Sequence, residues 1–127
     1  MNGLIYVALG GAIGASFRHI LGGVVTRLSA STFPLGTMTA NVLGGFLMGC
    51  LAAFLLVKTP ESDTLRLFLG VGLLGGFTTF SAFSLDAFLL LQKKSYGAFA
   101  AYIGGSVILS ILALIIGMIF MRKVLAL

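Results

Sequence analysis

The residues with the most distinctive chemistry lie in one stretch, Gly75-Gly76-Phe77-Thr78-Thr79-Phe80-Ser81-Ala82-Phe83-Ser84, set inside an otherwise apolar run. Adjacent glycines carry high backbone entropy and β-branched threonines lose rotamer freedom in a helix, so a helix through this point is weak. An interruption strips carbonyls of their helical donors, and in hydrocarbon those oxygens must be satisfied by protein, water or an ion. Bare carbonyls suit a hard cation. Two from each of two subunits, meeting on a symmetry axis, would hold a sodium ion much as unwound membrane helices do. A glycine-mediated close crossing of continuous helices is the alternative reading of the same residues.

Phe80 and Phe83 are three residues apart and share a face of any helix that resumes after the break. A phenylalanine stripe ordinarily means lipid contact or core. Here it is interleaved with Thr79, Ser81 and Ser84, and the partially positive edges of aromatic rings can solvate an anion without the deep trap a lysine would create. Asn41, the sole amide beside the apolar, glycine-rich run from Val42 to Leu56, offers two N–H donors. Thr37 lies one helical turn earlier on the same face, and Tyr102, Ser106 and Ser110 follow one another at intervals of four as a single hydroxyl stripe. Such a stripe can be glue between helices, or a ladder of donors that replaces the hydration shell of a small anion. Arg18, past the midpoint of the first apolar run, can snorkel, pair, or line a vestibule and raise the anion concentration there. Asp86, the one acid clearly inside an apolar run, stands ~9 Å along a helix from Phe80 and is a candidate for gating or structural pairing. The lone His19 reads as an interfacial residue.

What must position these groups follows from composition. With 59% of 127 residues hydrophobic and 9% charged, the chain has too little polar surface to cover a water-soluble domain. Eighteen glycines and no tryptophan point to helices in close approach through small residues. Cys50 lies in a long apolar run and reads as a packing residue; one cysteine excludes an internal disulfide framework. The first apolar stretch lacks a basic leader and an evident cleavage site and is expected to be retained as a helix. The net charge of +5 is scattered at the ends of apolar runs, which suits membrane topology and not nucleic acid.

The apolar runs, roughly 4–27, 35–57, 65–91 and 96–120, each exceed the ~20 residues a helix needs to cross hydrocarbon. The separators hold Pro34, then Pro60 with Glu61 and Asp63, then Lys93 and Lys94. The expected fold is therefore an all-α membrane protein, one domain over 1–127, with four transmembrane helices and the third broken near its middle. Lys58, Arg66, Arg122 and Lys123 fall on one side, and Arg18, Arg27, Lys93 and Lys94 on the other. This balance gives the positive-inside bias no preferred direction, so both orientations are expected unless lipids or an insertase break the tie. The simplest closed assembly of two orientations is an antiparallel, dual-topology homodimer with its two-fold axis in the membrane plane.

These motifs resemble the Fluc-type fluoride channels, the CrcB family, across essentially the whole chain. The match includes Gly10-Gly11-Ala12-Ile13-Gly14-Ala15 with Arg18, Gly36-Thr37-Met38-Thr39-Ala40-Asn41-Val42-Leu43-Gly44-Gly45, and the stretch from Gly75 to Ser84. The resemblance implies an antiparallel homodimer with two fluoride pores and a central structural sodium ion held by backbone carbonyls at Gly75 and Thr78. It implies that Phe80 and Phe83 line the pores, that Asn41 is the pore asparagine, and that Tyr102, Ser106 and Ser110, with Thr37, form the polar track. Arg18 matches the arginine near the aqueous vestibule. Asp86 departs from the family's glutamate. A bacterial inner membrane is the implied location, with lipid around the dimer.

Two other classes fit four apolar spans less well. A proton-coupled exporter of the small multidrug type needs a carboxylate in its first span, and no Asp or Glu precedes Glu61. A non-transporting assembly or insertion factor could also be a glycine-rich bundle, distinguished by the absence of ion flux. An enzyme is disfavoured, since one histidine, one cysteine and three acids supply no catalytic cluster.

Overall fold

The computed structural model describes residues 2–126, and the regular elements among them are all helices. The first helix is Asn2–Ser29, the second Leu35–Lys58, the third span Asp63–Gln92 and the fourth helix Tyr96–Ala126. All four are long and apolar enough to cross a membrane. The second agrees with the expected 35–57 to within a residue. The fourth runs six residues past the expected 120, because Arg122 and Lys123 end the apolar run without ending the helix. Long cationic side chains reach back to the interface and leave the helical backbone undisturbed.

The connections are short and chemically marked. Ser62 caps the third span, its Oγ accepting the Leu65 N–H at 3.3 Å. Between the third and fourth elements, Lys94 takes φ 57° and turns the chain, with its N–H on the Leu91 carbonyl at 3.0 Å.

Glycines set the distances between helices. A Cβ at Gly14 would strike the Leu73 carbonyl, and one at Gly76 would lie 2.7 Å from the Gly11 carbonyl, so the first helix and the third span meet backbone to backbone. Gly49 lies against Leu114 and Gly117 against Phe46 in the same way, joining the second and fourth helices. A small aromatic core of Phe83, Ala87, Leu90 and Tyr102 is closed by Phe33, Met38 and Phe99. Much other apolar surface, including Leu4, Phe17, Leu28 and Ile108, faces outward, as lipid permits.

The third span is irregular throughout. Arg66–Leu74 winds as π-helical turns, which nothing in the local residue pattern signals. Gly75–Phe77 is α-helical, Thr78 (φ −83°, ψ 160°) and Thr79 (φ −153°, ψ 124°) are extended, and the helix resumes at Phe80–Gln92. The interruption thus falls on the threonines and not on the glycine pair. Gly76 is needed helical because its missing side chain admits the first helix, whereas β-branched threonines tolerate extended backbone well.

Candidate functional site

Two extended residues in mid-span leave several backbone groups to be satisfied, and the neighbouring helices supply specific partners. The Thr78 N–H and its Oγ1–H both donate to the Leu74 carbonyl, each at 3.0 Å. The Thr79 N–H donates to Asn41 Oδ1 at 2.7 Å, and Asn41 Nδ2 donates back to the Thr79 carbonyl at 3.0 Å. One side-chain amide from the second helix therefore pairs with both polar groups of a single backbone residue, as a neighbouring strand would. Thr79 Oγ1 then caps the resumed helix by accepting the Ala82 N–H at 3.1 Å.

The freed carbonyls are shared unequally. Arg18 Nε donates to the Gly76 carbonyl at 3.2 Å. Gly75 loses its usual helical donor, because the Thr79 N–H four residues on is held by Asn41. No donor to the Thr78 carbonyl is found among the described residues. The two carbonyls expected to bind a cation both lack an ordinary helical donor, as Gly76 does, but without a side chain such as Arg18 in its place, and as hard neutral oxygens they are of the kind a sodium ion would take.

On one side of the break lies a cleft of about 360 Å³ lined by Asn41, Thr79, Phe80, Phe83, Ser106 and Ser110. The Phe80 and Phe83 rings are 5.6 Å apart at 45°. Phe80 is 78% exposed, whereas Phe83 is 9% exposed and rests on Tyr102 with ring centroids 5.3 Å apart. Ser106 is 4% exposed, and its Oγ has no hydrogen-bond partner. A hydroxyl buried in an apolar cleft without a partner carries a desolvation penalty of about 1–3 kcal/mol, which a ligand would relieve. Asn41 brings the second hydrogen of its amide, since only one is used on Thr79.

The remaining residues of the expected set gather elsewhere. Arg18, Thr37 and Asp86 line a second, larger cleft of about 770 Å³ with His19 and Arg27, widened by the missing side chains of Gly22 and Gly23. Thr37 is therefore separated from the phenylalanine cleft. Tyr102 stands between the two. Its fully buried ring packs under Phe83 and edge-on to Phe33, while its hydroxyl donates to Asp86 Oδ2 at 3.1 Å. Sequence reasoning did not anticipate the partnership of Asn41 with Thr79, the Arg18 bond to Gly76, or Phe33 against Tyr102. Only the threonine pair left a local signal, its preference for extended backbone.

Compared with known families, residues 5–118 match the family described as CrcB-like protein, Camphor Resistance (CrcB). The chain belongs to the CrcB family. Among CrcB relatives, the protein named fluoride-specific ion channel FluC in Caulobacter vibrioides is 50% identical over 127 residues, 99% of this chain and 100% of the relative. The protein of that name in Phenylobacterium zucineum is 47% identical over the same shares. The one in Novosphingobium aromaticivorans is 45% identical over 126 residues, covering 98% of this chain and 99% of the relative. The family resemblance read from the motifs is thereby borne out, and this CrcB chain is a multi-pass membrane protein.

Proposed function

We propose that the chain is a fluoride-selective channel through which cytoplasmic fluoride leaves the cell passively, lowering its intracellular concentration and toxicity. The full-length likeness to proteins named as fluoride-specific channels supports this reading. The observation that carries it is the gathering in one cleft of a partnerless buried Ser106 hydroxyl, a spare Asn41 N–H and the Phe80 and Phe83 rings. Fluoride is small and strongly hydrated, so short contacts from O–H, N–H and ring edges can replace water around it. No Lys or Arg lines that cleft, and weak, multiple sites favour passage over trapping. Hydrogen fluoride diffuses inward from acidic surroundings and ionises at neutral pH. The anion then leaves through the pore, helped by about 2.3 kcal/mol per 100 mV of inside-negative potential. As a passive channel the chain is not an enzyme.

The working unit on this reading is an antiparallel, dual-topology homodimer with two pores in the inner membrane of a bacterium. The even split of basic residues between the two sides supports dual topology, and a terminal reporter found on one side only in cells would remove that part. The carbonyls of Gly75 and Thr78 would hold a structural sodium ion at the centre, which would satisfy oxygens that the break leaves without donors. Exchange of sodium for a larger cation such as caesium is expected to weaken the dimer on dilution and to reduce flux. Equal dimer stability and flux in the two salts would remove the sodium site.

Ser106→Ala separates a ligand-binding hydroxyl from a packing one. The hydroxyl makes no protein hydrogen bond and is buried, so its removal should leave thermal stability in detergent equal to or above that of the parent. Fluoride efflux should nevertheless fall roughly tenfold or more, because a hydrogen bond to an anion contributes about 1.5–3 kcal/mol. Unchanged efflux would take Ser106 off the ion path.

A further inference from the structure

The two rims of the break are held by different helices. Downstream, Asn41 of the second helix grips the Thr79 backbone. Upstream, the first helix lies against the last helical turn before the break. A Cβ on Gly76 would come within 2.7 Å of the Gly11 carbonyl and 3.3 Å of the Ala15 nitrogen, and Gly14 abuts Leu73 and Phe77. The Gly76 carbonyl would ordinarily accept from the N–H of residue 80, which the two extended threonines carry away. Arg18 Nε reaches that same oxygen at 3.2 Å.

We propose that Arg18 is a positioning residue whose Nε–H replaces, at the Gly76 carbonyl, the donor that the break removes, fixing the upstream rim to the first helix. This goes beyond a charge that gathers anions in the open cleft, and it rests on the channel reading only where flux is used to test it. The local electrostatics support a geometric role. Arg18 shares its cleft with Asp86, yet the ion pair found among the described residues is Arg66 with Asp63, and Arg18 spends its Nε on a neutral carbonyl. A rim displaced by a fraction of an ångström moves Phe80, which resumes the helix immediately after Thr79, and with it the mouth of the cleft.

The chemistry of substitution separates the two roles. Glutamine places its amide nitrogen at the same number of bonds from Cα as arginine Nε and lacks the charge, whereas lysine keeps the charge but has a methylene at that point. A positioning role orders the variants R18Q above R18K, and a purely electrostatic role orders them the other way. The experiment measures fluoride and chloride efflux from proteoliposomes for the parent, R18Q and R18K, together with hydrogen–deuterium exchange of the amides from Thr78 to Ala82 in purified protein. R18K is expected to lose roughly tenfold in fluoride efflux, to narrow the fluoride-to-chloride ratio, and to speed exchange at Thr78 and Thr79, with R18Q closer to the parent in all three. R18K equal to or better than R18Q in efflux ratio and exchange would overturn the proposal. A parent that passes no fluoride would defeat the channel reading, and the exchange order alone would then decide the role of Arg18.

Discussion

Asn41→Leu is expected to reduce fluoride efflux by about a hundredfold or more and to lower the thermal stability of the purified protein. Leucine keeps the branched four-heavy-atom skeleton of asparagine with bulkier methyl groups, so lost packing is not the cause. The substitution removes both hydrogen bonds to Thr79 and leaves its N–H and carbonyl without partners in the middle of a membrane span. Each orphaned group costs about 1–3 kcal/mol, so the pair costs about 2–6 kcal/mol, a large share of the 5–15 kcal/mol that holds a typical fold. Asn41→Asp makes a sharper comparison. A carboxylate still accepts the Thr79 N–H, but its second oxygen faces the Thr79 carbonyl where an N–H stood at 3.0 Å, and a negative charge now borders the cleft. Aspartate should therefore retain more stability than leucine and no more flux. Efflux measured beside the unfolding temperature reads both quantities, and parental flux in a folded Asn41→Leu variant would show that neither the amide nor the break matters to conduction.

The second large effect is expected at the phenylalanines. Phe80→Ile should lower fluoride efflux at least tenfold while leaving the fold of the chain as stable as the parent's, because the ring is 78% exposed on the single chain and little packing within it is lost. Phe83→Ile should also stop efflux, but at a cost in stability. That ring is buried between Phe80 and Tyr102, and such aromatic pairs contribute about 0.5–1.5 kcal/mol beyond their area. Isoleucine preserves hydrophobicity at both positions. Lipid contact or core filling would survive the exchange, whereas solvation of an anion by ring edges would not. Parental efflux in the double variant would return both residues to a packing role.

Much of the fold was legible because it rests on sums over windows. Four apolar runs became four membrane-length helices, and the weak helix around the threonine pair became two extended residues. The spacing of Phe80 and Phe83 put their rings side by side. What sequence left unread depends on the rotation and depth of one helix against another, which no local pattern sets. The pairing of Asn41 with Thr79, the reach of Arg18 to Gly76 and the placement of Thr37 in a separate cleft are of this kind. The hydroxyl stripe shows the mixture well. Ser106 and Ser110 border one cleft, in keeping with the common helix face their spacing gives them, but the Tyr102 hydroxyl turns to Asp86, an acid sixteen residues away on another helix. The π-helical turns of Arg66–Leu74 went unanticipated because hydropathy does not register how tightly a helix is wound.

The most direct measurement is efflux from proteoliposomes holding the purified protein, driven by a potassium gradient with valinomycin, with ion-selective electrodes reading fluoride and chloride in parallel. Rapid loss of fluoride with chloride retained is the expected result and would establish a selective fluoride channel. Retention of fluoride by vesicles containing well-folded protein would contradict that function and leave the cleft between Asn41, Phe80 and Ser106 without an ion to carry.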